Sequence, residues 1–201
     1  MATPHRLRQH ATDQENLAVR KIITFTHATL DGYIDEPHKW AFQYSDEELQ
    51  DYGMKMTLRA DALLLGRITY EGMAQAWPSR GGNPFAEHVN SIAKYVVASQ
   101  PVDSTAWDPT VVIAGPDLLD AVSRLKQAEG GDILIWGTGQ LTDALAAAGL
   151  LDEYRICTSP VIKGGGEPLF RLASTGTVEL LDTKTFATGA VVHAYRPTSA
   201  S

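Results

Sequence analysis

The run Ile133-Leu134-Ile135-Trp136-Gly137-Thr138-Gly139-Gln140-Leu141 takes an apolar stretch into two glycines and then into a helical pattern. Glycines at such a junction let the backbone approach a ligand closely, and a helix start offers unpaired N–H groups and the positive end of its dipole. A diphosphate suits that place; the other reading is a tight turn. The Rossmann fingerprint is incomplete, because its third glycine falls where Thr142 stands. A second segment, Leu63-Leu64-Leu65-Gly66-Arg67-Ile68-Thr69-Tyr70-Glu71, delivers an arginine and a threonine to a helix start. A guanidinium carries permanent charge and forked donors that match phosphate, while Thr69 either caps the helix or donates to the same group. The bland alternative is a surface arginine beside a capping threonine. Third, Tyr95-Val96-Val97-Ala98-Ser99-Gln100 ends an apolar strand on a hydroxyl, which either reaches the same ligand or serves only as a turn residue.

For a substrate surface, the aromatic residues Trp40, Phe42 and Tyr44 offer flat apolar area on which a conjugated ring could stack, or Trp40 anchors a loop in the core. His27 lies inside the first strand and reads as a core or cleft-edge histidine. The single cysteine, Cys157, sits in a strand-like run and reads as a small core side chain; alone it makes neither an internal disulfide nor a cysteine-rich metal site. No metal site is expected.

These segments need a scaffold. The β-branched run over 21–28 predicts a first strand, closed by the turn Leu30-Asp31-Gly32. Residues 45–60 predict an amphipathic helix with Ser45 and Glu48 as a capping box. Strands are expected over 62–65, 95–98, 111–114 and 133–136, and helices over 69–76, 117–127 and 141–148, with a loop over 79–84. Toward the end, 154–158, 177–186 and 190–195 read as strands without helices between them. The pattern predicts an α/β fold with a mostly parallel central sheet, an antiparallel C-terminal edge and helices on both faces. One domain over 21–197 is expected, preceded by a disordered or appended extension over 1–20.

Acidic residues outnumber basic ones by 24 to 17, a net charge of −7, which argues against nucleic acid and anionic membranes as partners. No apolar run approaches the about 20 residues a bilayer span requires, and a cytoplasmic location is expected.

In order and spacing, Gly66-Arg67-Ile68-Thr69-Tyr70-Glu71, Val97-Ala98-Ser99-Gln100 and Gly137-Thr138-Gly139 resemble the nucleotide-binding elements of the dihydrofolate reductase superfamily. Thr29-Leu30-Asp31-Gly32, Gly149-Leu150-Leu151-Asp152-Glu153-Tyr154 and Pro160-Val161-Ile162-Lys163-Gly164-Gly165-Gly166 are similar to the C-terminal reductase domain of the bifunctional riboflavin deaminase-reductase. The resemblance implies a dihydrofolate reductase-like three-layer fold, a homodimer and NADPH as cofactor. Residue by residue it assigns Gly66, Arg67, Thr69 and Ser99 to the adenosine side and its phosphate. Gly137, Thr138, Gly139, Gln140 and Leu141 take the diphosphate and the neighbouring ribose.

On the substrate side the resemblance thins. Riboflavin-pathway reductases carry a basic residue where Tyr33 stands and an acid where Ile135-Trp136 stands, so a phosphoribosyl-pyrimidine is disfavoured. Dihydrofolate reductases hold the pterin with a carboxylate on the helix before the Gly-Arg element, which makes Asp46 a catalytic candidate, although Asp46, Glu47 and Glu48 also suit a solvated first turn. Asp31 is the other candidate, ordering the substrate side or simply forming the turn before Gly32. The expected activity is hydride transfer from NADPH to a small heterocyclic or carbonyl substrate, similar to that of the 5-amino-6-(5-phosphoribosylamino)uracil reductase. The alternatives are dihydrofolate reductase activity and nucleotide binding without turnover.

Overall fold

The computed structural model describes residues 20–171 and 175–198; nearly all of the expected extension lies outside them. Eight strands form one sheet: β1 (Ile22–Thr29), β2 (Ala60–Gly66), β3 (Ala93–Ala98), β4 (Thr110–Ala114), β5 (Asp132–Trp136), β6 (Glu153–Ser159), β7 (Thr177–Thr185) and β8 (Val191–Thr198). Their spatial order is β4-β3-β2-β5-β1-β6-β8-β7. Every pair from β4 across to β6 is parallel, whereas β6-β8 and β8-β7 are antiparallel. Among the described residues five α-helices accompany them: α1 (Glu47–Arg59), α2 (Arg67–Ala74), α3 (Pro84–Ser91), α4 (Leu118–Gln127) and α5 (Gln140–Ala147).

The period of two along a strand divides the core into two layers. Ile23, Leu63, Leu65 and Leu134 face one side, where they meet Met56 of α1, Tyr70 of α2 and Val89 of α3. Ile22, Leu64, Ile133 and Ile135 face the other, against Val122 of α4 and Leu145 of α5. Helices therefore cover both faces, and the strands between them must be apolar throughout: Leu63, Leu64 and Leu65 are all fully buried. Truncating any one of them to Ala costs about 2–5 kcal/mol.

Local chemistry moved three boundaries. The cap of α1 is Asp46 rather than Ser45: its carboxylate accepts the Leu49 N–H at 2.9 Å, and its carbonyl accepts the Gln50 N–H. A carboxylate both fills the cap and meets the positive helix end, which a hydroxyl cannot. Next, α2 begins directly at Arg67 behind an extended Gly66 with no side-chain cap, so Thr69 lies within the helix and is not its cap. Finally, the sequence reading has no counterpart to α3. Its signal was present in Asn83-Pro84, where the Asn83 side chain accepts from Ala86 N and proline takes the first turn, but the glycines at 81 and 82 obscured it.

Beside α3, the fully buried Lys94 donates to the carbonyls of Asn90, Ile92 and Asp108 at 2.6–3.0 Å and lies over the Trp107 ring. Burial pulls its pKa down to about 8. It ties the end of α3 to the segment that enters β4. Among the described residues, no helix is long and apolar enough to cross a membrane.

Candidate active site

Two adjoining cavities, of about 600 and 640 Å³, meet at Trp136, Gly137 and Thr138. The first lies at the carboxyl ends of β2, β3, β4 and β5, where ligands of open parallel sheets bind. It is lined by Gly66, Arg67, Thr69, Ser99, Gly137, Thr138, Gly139, Gln140 and Leu141, so the structure brings together all nine residues assigned to the cofactor.

The glycine turn is held from three directions. Gly137 has φ +94°, a conformation in which a Cβ would be strained; its N–H donates to Phe25 O at 2.8 Å and its carbonyl accepts from Thr24 Oγ1 at 2.5 Å. Thr142, standing where the fingerprint would have a third glycine, accepts the Gly139 N–H at 2.9 Å and donates back to the Gly139 carbonyl at 2.8 Å. That threonine locks the turn from inside the core at the start of α5, whose first residues, Gln140 and Leu141, line the cavity. On the far wall, Gly115 packs so closely on Ser99 that an added Cβ would lie 2.8 Å from its Oγ.

Charge in this lobe is present but already paired. Arg67 Nη1 donates to both oxygens of Glu71, at 2.9 and 2.8 Å, across one helical turn. Arg171 donates to Asp143 at 3.2 Å and to Glu167 at 3.0 Å, and its guanidinium lies beside the glycine turn, 3.6 Å from where a Gly139 Cβ would be. Glu167 and Arg171 line the cavity and went unnoticed in the sequence, since no motif brackets them.

The second cavity has a different character. Phe25, Trp77, Phe85 and Trp136 form its aromatic wall, with Trp77 and Trp136 ring centroids 5.4 Å apart and Trp77 and Phe85 at 5.8 Å. The opposite wall is the face of α1 that carries Leu49, Gly53 and Met56. His27 lies on β1 with its ring edge-on to Phe25 at 5.2 Å. Its Nδ1, like Thr26 Oγ1, is buried with no partner among the described residues. Burial lowers the His27 pKa to about 4, so the imidazole is neutral near pH 7. Burial likewise pushes the Cys157 thiol up to about 12, which keeps it protonated and inert.

Of the substrate candidates, Phe42 lines this cavity and the others do not. Trp40 is buried and donates its indole N–H to Asp35 O at 2.9 Å, so it anchors its loop in the core. Tyr44 packs against the cluster of Leu49 and Phe186 and does not line the cavity. Both catalytic candidates are engaged elsewhere. Asp46 is the helix cap described above. Asp31 accepts from Thr29 Oγ1 at 2.7 Å and from the N–H groups of Lys163 and Gly164 at 3.1 and 2.7 Å, which clamps the loop after β6 to the turn after β1. Those bonds, that of Thr29 foremost, hold its pKa down to about 2. The position is a loop clamp, and neither acid lines the second cavity. Among the described residues, no cluster of His, Cys, Asp and Glu could hold a metal ion.

Known proteins share this architecture. The protein assigned to riboflavin biosynthesis from Shewanella sp. PV-4 superposes with a TM-score of 0.68 at 23% identity, over 89% of this chain and 99% of its own. The dihydrofolate reductase of Enterococcus faecalis, solved with NADP(H) and RAB-propyl, superposes with a TM-score of 0.62 at 14% identity, over 89% and 97% of the two chains. The fold is dihydrofolate reductase-like. In sequence, the uncharacterized protein YyaP of Bacillus subtilis strain 168 is 29% identical over 189 residues, 90% of this chain and 96% of YyaP. The RibD C-terminal domain family matches residues 20–194, and the chain belongs to that family.

Proposed function

We propose that the protein is an NADPH-dependent reductase that transfers hydride to a small heterocyclic or carbonyl substrate. The observation that carries this reading is the junction at Trp136, Gly137 and Thr138 of two unlike cavities, a polar cradle at four parallel strand ends and an aromatic slot beside it. The residues fit a dinucleotide. A Cβ placed on Gly66 or Gly137 meets no atom within 4 Å, so open space stands over both strand ends where the cofactor's backbone would run.

Arg67, Thr69 and Ser99 would hold the adenosine phosphate, and the turn from Gly137 to Leu141 the diphosphate, with Arg171 at hand as a second cation. The reduced nicotinamide supplies the hydride when bound. Aromatic walls exclude water from the transfer and hold the acceptor flat. The proton that follows comes from solvent, because among the described residues no Asp, Glu, Lys or Arg lines the slot and His27 is neutral.

Arg67→Ala tests the reading. A 2′-phosphate carries close to two negative charges, and a charged hydrogen bond contributes about 1.5–3 kcal/mol, so NADPH should weaken by roughly ten- to a hundredfold while NADH hardly changes. Nucleotide fluorescence titrations of both cofactors decide it: equal losses for the two, or none for NADPH, remove Arg67 from the site. Tight NADPH binding with no oxidation on any acceptor would leave a nucleotide-binding protein, and turnover of dihydrofolate would make it a dihydrofolate reductase.

The assembly we propose is a homodimer through the β7 edge, where Val178 and Leu180 are about half exposed on a long strand with one free side. Val178 and Leu180 give that edge exposed apolar area beside its charged residues, and a second copy is the commonest occupant. Light scattering at micromolar concentration that returns the mass of one chain would remove this proposal.

A further inference from the structure

Resting on the reductase reading, we infer that the aromatic cavity takes an uncharged, flat, conjugated ring system and rejects substrates that carry phosphate, carboxylate or sulfonate. No Asp, Glu, Lys or Arg lines it among the described residues. Its polar groups, Thr26, His27 and Gln50 among them, are a hydroxyl, an imidazole and an amide, which hydrogen-bond without supplying charge. One of them, His27, which shares the Phe25 face of β1, has a buried Nδ1 still wanting a partner, a cost that structures generally keep only where something else offsets it.

Among the described residues no cation lines the slot itself, and those around it are engaged with other groups: Arg80 lies over the Trp77 ring, 4.7 Å from its centroid. Arg155, on the strand that pairs with β1, donates Nε and Nη2 to Glu153 at 3.0 and 2.8 Å and Nη1 to the Tyr52 hydroxyl at 3.2 Å. Lys184 is held by Glu48 at 2.9 Å. An anion entering the slot would lose its water and meet no positive partner, the least favourable condition for a charge. A neutral ring loses little water and gains the faces of Trp77, Trp136 and Phe25. In the reaction the substrate gains a C–H bond from the hydride of the reduced nicotinamide, which is thereby oxidised. The substrate's displaced electron pair settles on its own oxygen or nitrogen, which takes a proton from water.

Matched probes separate charge from shape. Lumazine against 6-carboxylumazine, and 1,4-naphthoquinone against its 2-sulfonate, present one ring system with and without an anion. Trp77 and Trp136 line the slot, so quenching of tryptophan fluorescence reads binding without requiring turnover. The neutral member of each pair should saturate at least tenfold more tightly than the anionic one. Met54→Lys, on a half-exposed position of α1 at the rim, should narrow that gap severalfold by giving the anion a partner. Equal affinity within the pairs, preference for the anion, or no saturable binding by either neutral ring overturns the inference. NADPH affinity is followed separately by nucleotide fluorescence. Loss of the reductase reading would thus appear as absent cofactor binding with ring selectivity intact, and loss of this inference as the converse.

Discussion

The polar lobe and the aromatic lobe of the cleft share Trp136, Gly137 and Thr138, yet they handle charge in opposite ways. In the first, guanidinium groups are kept at the surface of the cavity, Arg67 held by Glu71 one helical turn on and Arg171 by Glu167 and by Asp143 of α5. Such pairs are partly exposed and contribute little to stability, so a polyphosphate can compete for the arginines at small cost. In the second, charge is absent and even the histidine is kept neutral by burial. One half of the cleft is therefore set to accept negative charge and the other to refuse it, a division that suits a charged cofactor meeting an uncharged acceptor.

The largest effect should come from the residue common to both lobes. Gly137→Val places a β-branched side chain at φ +94° and should weaken NADPH, NADH and neutral rings together, on the order of a hundredfold. Gly66→Ala is the control, since its backbone is extended: it should fold normally and weaken nucleotides alone, by fluorescence titration. If Gly137→Val spared either lobe, the two would be independent sites.

His27 sharpens the contrast through pH. Its folded pKa of about 4 lies below the ordinary 6.5, so the unfolded chain takes up the proton first and stability declines as pH falls from about 6.5 toward 4. At pH 5 the loss from this group is about 2 kcal/mol, and His27→Gln should abolish that share of it. Urea melts at pH 7 and pH 5 measure the difference; identical losses in both proteins would mean that the ring is not held neutral.

A smaller change is expected at Glu71. Removing its charge with Glu71→Gln frees Arg67, and NADPH should tighten by about two- to threefold while NADH stays level, given the few tenths of a kcal/mol in an exposed pair. Weaker NADPH binding would instead make the pair a positioning device for the guanidinium. The smallest effect on the cleft should be that of Asp31→Asn. It loosens the clamp on Lys163 and Gly164 and should lower Tm by a few degrees, with cofactor and ring affinities unchanged. Altered ring selectivity in that variant would return Asp31 to the substrate side.

The two lobes also differ in how far the amino-acid sequence discloses them. The polar lobe stands at strand ends, and the segments that line it carry glycine, a first-turn arginine or a terminal hydroxyl at fixed offsets from a strand. Those offsets are local, so Gly66-Arg67, Ser99 and Gly137-Thr138-Gly139 could be read one segment at a time, as could the parallel sheet from its wholly apolar strands. Asn83-Pro84 and Asp46 show the limit of such reading, because competing cap and turn signals a residue or two apart are resolved only when the helix packs.

The aromatic lobe gathers Phe25 from β1, Trp77 from beyond α2, Phe85 from α3 and Trp136 from β5, with no spacing that relates them. Trp40 and Tyr44 have the same chemistry as Phe42 and stand close to it in the chain, yet Trp40 is buried in the core and Tyr44 packs half-buried beside Leu49 and Phe186. Residue type sets what a side chain can do, and the sequence by itself determined that much, together with the sheet, the helices other than α3 and the glycine turn. Only the tertiary structure decided which aromatic rings share a wall and which arginines are already spent. It also decided that His27 is neutral and Asp31 a clamp. Burial and long-range pairing depend on where distant segments meet, and no local pattern encodes that.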